Sequence, residues 1–169
     1  YLPENTKGKG KFEHYDVKEI GHKYNMTDLS AAMGLVQLKK LEKNWKLRKK
    51  IYEYYSKKLK HLPVLLQKID SYQVKHAYHL FTLVIDNKKT KKTRDKLITF
   101  LKKEKITTGV NYRSVTDMTL YKKILGWNEK TCKNSNYVGR NTISLPIYPT
   151  LKKNEMKYIC KKVCKFFEK

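Results

Sequence analysis

One amphipathic rhythm dominates the first third of the chain and limits what it can become. Leu38, Leu41, Trp45, Tyr52, Tyr55 and Leu59 recur at intervals of three, four and seven, the spacing that lines up side chains on one helical face. Thr27 is suited to cap the start, because its hydroxyl can accept from the first free backbone N–H groups, and Asp28 complements the positive end of the helix dipole. Pro63 stops the pattern. A helix over 27–60 would be roughly 50 Å long at 1.5 Å per residue, too long to be covered by a domain made from the rest of the chain. Its early part, "LSAAMGL", places Ala31, Ala32 and Gly34 where a second backbone can approach closely. A plain surface helix with one tolerated glycine is the alternative.

The remaining residues read as smaller pieces. The leading stretch 1–25 is loop, punctuated by Pro3, Gly8, Gly10 and Gly21. After Pro63, "HAYHLFTLVID" (76–86) is aromatic and β-branched and predicts a strand, as do "ITTGVNY" (106–112) and "NTISLPI" (141–147). Pro146 puts the last of these at an edge or an end. Helices are expected over 93–104, 117–125 and 151–167, the last with Met156, Ile159, Val163 and Phe166/Phe167 on one side. The fold class is therefore α+β: a long N-terminal helix, then a small three- to four-stranded, mostly antiparallel sheet with flanking helices. The domain division is 1–26 as a leading loop, 27–60 as a connecting helix and 61–169 as a small α+β domain. That architecture by itself names no activity.

Composition narrows the function classes. A chain of 169 residues with a formal charge of +24 invites a nucleic-acid reading. Only four of its 39 basic residues are arginine (Arg48, Arg94, Arg113, Arg140) and the lysines are scattered, whereas base and phosphate readers rely on arginine forks. Nucleic acid is accordingly not the expected partner. The cysteines, Cys132, Cys160 and Cys164, form no CxxC pair and have no nearby histidine, so no metal site is expected and a reducing cytoplasm fits. No apolar run approaches the ~18 residues of a membrane span.

Four segments in order carry more than any one of them: "GHKYNMTDLSAAMGLVQLKKLEK", "HAYHLFTLVID", "KKEKITTGVNYRSVTDMTLYKK" and "ISLPIYPTLKKNEMKYICKKV". From about residue 15 to the end, this series resembles the C-terminal portion of the DegT/DnrJ/StrS nucleotide-sugar aminotransferases, a group of fold-type I pyridoxal-phosphate enzymes. The resemblance implies the small C-terminal domain of such an enzyme, with a large domain preceding it. It implies amination of a keto nucleotide sugar with glutamate as donor, though relatives that dehydrate the sugar exist. In that family the loop before the long helix reaches across a dimer interface to the cofactor phosphate of the partner subunit.

The matching segment here is Gly21-His22-Lys23-Tyr24-Asn25-Met26, close to the family's Gly-Tyr-Lys-Tyr-Asn-Met apart from His22. Lys23, Tyr24 and Asn25 are thus the implied cofactor contacts. The chemistry suits them: a phosphate favours a cation and neutral donors beside a helix N-terminus, each charge-assisted hydrogen bond contributing ~1.5–3 kcal/mol. The alternative is that Lys23 is solvated and Asn25 only assists the cap. A second implied site is Asn111-Tyr112-Arg113, where the family usually carries His-Tyr or His-Phe near the sugar nucleotide. Asn111 in that position can donate a hydrogen bond but cannot titrate near neutrality. Arg113 keeps a planar fork suited to a diphosphate.

His76, Tyr78 and His79 match a family run at the domain junction. On a regular strand, His76 and Tyr78 would share one face and His79 take the other. The cofactor-anchoring lysine, the carboxylate facing the pyridine nitrogen and the main phosphate cup belong to the family's large domain. No lysine here stands in a matching context, so no catalytic residue is assigned. The chain is expected to need a homodimer partner or a complementing N-terminal half.

Overall fold

The computed structural model describes residues 19–69 and 74–168. Most of the loop expected over 1–25 lies outside these residues. The chain forms two compact units, Tyr1–Leu38 and Lys39–Lys169.

In the first unit, residues 20–27 have no regular structure and lead into helix α1, Asp28–Leu59. Thr27 caps it as expected: its Oγ1 accepts from the Ser30 N–H at 3.3 Å, and its carbonyl from the Ala31 N–H at 2.9 Å. Leu29, Met33 and Val36 are exposed at helical spacing.

The second unit is the α+β body. After Pro63 the chain forms β1 (Val64–Leu66), β2 (Phe81–Ile85), α2 (Arg94–Lys103), a 3₁₀ turn at Val115–Asp117, α3 (Thr119–Leu125), α4 (Lys133–Asn141), β3 (Thr142–Leu145) and α5 (Lys153–Glu168). The strands make one antiparallel sheet in the order β1-β2-β3. Its register pairs Val64 with Ile85 and Leu66 with Leu83 on one side, Phe81 with Leu145 and Leu83 with Ile143 on the other. Alternation therefore gathers Val64, Phe81, Leu83, Ile85, Ile143 and Leu145 onto one buried face.

Helices cover that face with apolar side chains spaced three or four apart. Tyr52, Tyr55 and Leu59 come from α1, Leu97 and Leu101 from α2, Ile159 and Val163 from α5, all buried. The Tyr52 and Tyr55 rings each meet Phe81 nearly edge-on with centroids 5.0 Å apart. Tyr55 is fully buried, and its hydroxyl donates to the Pro146 carbonyl at 3.0 Å. Burial pushes its phenol pKa well above the usual value. Thr93 caps α2 by accepting from the Lys96 N–H at 3.4 Å.

Three sequence expectations change. The strand expected over 76–86 begins only at Phe81, because Tyr78 takes a left-handed φ of 48°, which breaks an extended run. His76 Nδ1 accepts the Tyr78 N–H at 3.1 Å, and the two rings meet edge to face at 4.7 Å instead of projecting alike from a pleat. The strand expected over 106–112 reduces to one bridge, Gly109 with Ser144, closed by bonds of 3.1 and 2.8 Å. Helix α4 was not expected, since its buried side is Asn136, Gly139 and Asn141 instead of an apolar stripe.

Candidate functional site

The turn before α1 places Lys23, Tyr24 and Asn25 one after another, all exposed, Tyr24 at 85%. None of the three side chains hydrogen-bonds or ion-pairs with another described residue. The His22 and Tyr24 rings lie 5.4 Å apart at 38°. The turn thus offers an ammonium, a phenol and an amide beside the N-terminus of a 32-residue helix. Thr27 already occupies the Ser30 N–H, but the earlier N–H groups of the first turn have no helical partner. This donor set fits a phosphate dianion. Asp28 is the one acidic group of that turn.

In the second unit, an open cleft of ≈ 1060 Å³ runs between the segment 104–111 and the segment 144–159. Its walls are largely apolar (Ile106, Leu145, Ile147, Leu151), with His79, Asn111, Tyr148 and Tyr158 among the polar groups. Asn111 folds back over Gly109: a Cβ on that glycine would stand 2.9 Å from Asn111 Oδ1. Ser144, in the same wall, has a buried hydroxyl without a partner among the described residues. At one margin Glu104 takes the Lys162 ammonium at 2.6 Å and the Tyr158 hydroxyl at 3.1 Å. Those two donors lower the Glu104 pKa.

Of the expected substrate residues, only Asn111 enters the cleft wall. Tyr112 is 72% exposed, and Arg113 donates from Nη2 to the Asp117 carbonyl at 3.1 Å. That bond engages one of the five guanidinium N–H groups. The loop is fastened by an ion-pair cluster the sequence did not announce. Asp117 accepts from Arg140 and from Lys122, the latter at 2.6 Å, and Arg140 Nη2 also reaches Glu129 at 2.8 Å. Arg140, then Lys122, holds the Asp117 carboxyl well below the usual carboxylate range.

His79 lies exposed in the cleft, whereas His76 belongs to an aromatic cluster with Tyr52, Tyr78 and Trp45, whose indole N–H donates to the His76 carbonyl at 2.7 Å. Burial pushes the Cys160 thiol up to about 12, which keeps it protonated and unreactive. No group of three or more His, Cys, Asp or Glu able to hold a metal occurs among the described residues, and no helix there is long and apolar enough to cross a membrane.

A three-stranded antiparallel sheet with helices packed on one face and a long helix ahead of it in sequence define a small α+β domain of the aminotransferase type. The chain belongs to the DegT/DnrJ/EryC1/StrS aminotransferase family, which it matches over residues 4–164. It is 36% identical over 144 residues to the spore coat polysaccharide biosynthesis protein SpsC of Bacillus subtilis, a match covering 85% of this chain and 37% of that one. An uncharacterized protein of Methanocaldococcus jannaschii is 38% identical over 138 residues, covering 82% of this chain and 36% of the relative.

Among solved structures, Spr1654 of Streptococcus pneumoniae, a candidate sugar aminotransferase, superposes in its PLP form with a TM-score of 0.78 at 26% identity, over 92% of this chain and 39% of that one. PseC of Helicobacter pylori, an aminotransferase of pseudoaminic acid biosynthesis, gives 0.72 at 25% identity, over 95% and 42%. The chain thus spans little more than a third of the curated relatives it matches, and corresponds to a C-terminal portion of the family.

Proposed function

We propose that this chain is the C-terminal part of a pyridoxal-phosphate-dependent aminotransferase acting on a keto nucleotide sugar, in cytoplasmic amino-sugar biosynthesis for a surface polysaccharide or related glycan. It works against a partner subunit or complementing half and is incomplete for catalysis alone. The observation that carries this reading is the segment Lys23-Tyr24-Asn25, exposed and without a partner among the described residues at the start of α1 in a chain of this family. The names of its relatives, for polysaccharide and pseudoaminic acid biosynthesis, support an amino-sugar product.

When bound, pyridoxal phosphate supplies the electron sink that lets an amino group pass from a donor such as glutamate to a sugar carbonyl. In this reading, Lys23 places a cation against the cofactor phosphate of the neighbouring subunit, and Tyr24 and Asn25 add neutral donors. The first-turn N–H groups of α1 contribute the dipole's positive end. The nucleotide sugar lies by Asn111-Tyr112-Arg113. Asn111 donates to a sugar hydroxyl without titrating near neutrality, Tyr112 offers a phenol and an aromatic face, and the free edge of Arg113 meets the diphosphate.

The test combines the chain with the N-terminal portion of a family member, pyridoxal phosphate, glutamate and a keto nucleotide sugar. The complemented assembly should develop the visible absorbance of bound cofactor and form the amino sugar, and the chain alone should do neither. Turnover by the chain alone would refute its incompleteness. A complemented assembly that never binds cofactor would refute the reading itself. A second reading, a basic interaction or nucleic-acid-binding module, rests on the charge of +24. It requires retention on polyanions with steep salt dependence, indifferent to Asn25 and Tyr112.

A further inference from the structure

The loop Asn111-Tyr112-Arg113 has no secondary structure of its own, so something else must fix where its side chains stand. One end is tied by the Gly109–Ser144 bridge. The other end is Ser114, which is buried and joined to a chain of polar groups running into α4. Ser114 Oγ lies 2.6 Å from Thr116 Oγ1 and 2.8 Å from Ser135 Oγ, and Thr116 Oγ1 donates to Asn136 Oδ1 at 2.6 Å. Asn136 Nδ2 in turn donates to the carbonyls of Thr131 at 3.0 Å and Glu129 at 3.3 Å.

The proton order in this chain is determined. An amide oxygen only accepts, so the single Thr116 proton is committed to Asn136. The contact between Ser114 and Thr116 must then use the Ser114 proton, which leaves Ser135 as donor to Ser114. The direction is therefore Ser135 to Ser114 to Thr116 to Asn136, with every hydroxyl donating once and both amide protons engaged. Ser114, Thr116 and Asn136 are buried while Ser135 is exposed; aligned bonds among the buried members reinforce one another, and removing one member strands its neighbours. Beside it, Gly139 of α4 lets the Ser114 backbone come so near that an added Cβ would stand 2.4 Å from Ser114 N.

We propose that Asn136 is a positioning residue for nucleotide-sugar recognition, acting through Thr116 and Ser114 to fix the Asn111-Tyr112-Arg113 loop against α4. The inference rests on the assignment of that loop to substrate. Ser114 directly follows Arg113, so a shift of Ser114 moves the guanidinium with it. The partners are small Ser, Thr and Asn side chains in two local pairs, Ser114 with Thr116 and Ser135 with Asn136. Together with the Gly109–Ser144 bridge and the Arg113 bond to the Asp117 carbonyl, this run of hydrogen bonds holds the three loop residues in one place.

The test uses the full chain, with uridine diphosphate as probe and backbone ¹⁵N NMR as readout. Thr116→Val removes the central hydroxyl while keeping the side-chain shape, Thr116→Ser restores the hydroxyl, and Ser135→Ala removes only the first donor. In Thr116→Val the order parameters at Tyr112 and Arg113 should fall from about 0.85 toward 0.6, with those of β2 and β3 unchanged. Affinity for the probe should drop about tenfold, the scale of one hydrogen bond lost from the binding loop, and Thr116→Ser should recover both readouts.

A Thr116→Val chain whose loop stays rigid and binds the probe as the parent does would overturn the proposal. If Thr116→Val fails to fold, Ser135→Ala decides, with a smaller loss in the same direction expected and unchanged loop order parameters overturning it. If the parent chain shows no probe-induced shifts at Asn111–Arg113, the substrate assignment falls, and with it the recognition role of Asn136. A loop loosened by Thr116→Val would then establish only a structural brace.

Discussion

The Arg140 guanidinium grips the Asp117 carboxylate by both of its oxygens, Nη2 donating to Oδ1 at 3.0 Å and Nε to Oδ2 at 3.2 Å. Lys122 joins Oδ1 from α3, so α4, α3 and the 3₁₀ turn meet on one acidic group. Because these donors favour the ionised form, the folded Asp117 pKa lies below its ordinary value of 3.8. A depressed carboxylate contributes stability that is fully present above the unfolded pKa and lost as pH falls through the folded one. Urea midpoints should therefore decline below about pH 4 in the parent chain and decline less steeply in Asp117→Asn. Identical pH profiles for the two would show that the cluster contributes nothing to folding.

Tyr55 separates packing from hydrogen bonding in the core. Tyr55→Phe keeps the ring against Phe81 but leaves the Pro146 carbonyl without the hydroxyl, a loss of about 0.5–1.5 kcal/mol. Tyr55→Ala also opens a cavity and should cost about 3–5 kcal/mol. Chemical denaturation of the three proteins checks the order; equal losses in Phe and Ala would show that the ring packs poorly.

Two glycines should respond to alanine with opposite signs. At Gly139 the new Cβ would stand 2.4 Å from the Ser114 backbone nitrogen, an atom that cannot swing aside. Gly139→Ala should cost about 1–3 kcal/mol and disturb the amide signals of residues 113–117. Gly34 has nothing within 4 Å of an added Cβ, so Gly34→Ala should stabilise isolated α1 by about 0.5–1 kcal/mol. If the small-residue stretch of α1 exists to admit a partner backbone, Gly34→Ala should also weaken assembly measured by ultracentrifugation. A variant that is more stable and assembles normally supports the plain-surface alternative.

How far the sequence was legible follows from what each element buries. Helices α1, α2 and α5 carry Tyr55–Leu59, Leu97–Leu101 and Ile159–Val163 at one-turn spacing, so the period exposes them. Helix α4 hides because "KNSNYVGRN" turns Asn136, Gly139 and Asn141 inward, and buried amides satisfied by hydrogen bonds look like surface in a hydropathy pattern. The segment 106–112 looked like a strand from Ile106 and Val110, yet composition says nothing about pairing, and only Gly109 meets β3. The left-handed Tyr78 is similarly silent, since nothing in its local sequence marks the φ that accompanies its N–H bond to His76 Nδ1.

At the candidate site, Lys23, Tyr24 and Asn25 stood out because their segment resembles the family's and adjoins a capped helix start. The support of Arg113 was not, because Asp117, Glu129, Asn136 and Arg140 converge only once the chain has folded.

The turn before α1 gives the sharpest prediction. Lys23 and Asn25 are exposed and make no intramolecular bond among the described residues, so replacing them should leave the fold undisturbed. Lys23→Ala and Asn25→Ala should melt within about 0.5 kcal/mol of the parent. In the complemented enzyme each should nevertheless weaken retention of pyridoxal phosphate, since a lost charge-assisted bond to phosphate removes ~1.5–3 kcal/mol, roughly 10- to 100-fold in affinity. Lys23→Arg should keep most of it, because the cation survives although its hydrogen-bond geometry changes. Dialysis against buffer, followed by the visible absorbance of the cofactor, measures this directly. Equal retention by the parent and by Lys23→Ala/Asn25→Ala would mean that the basic turn faces no cofactor.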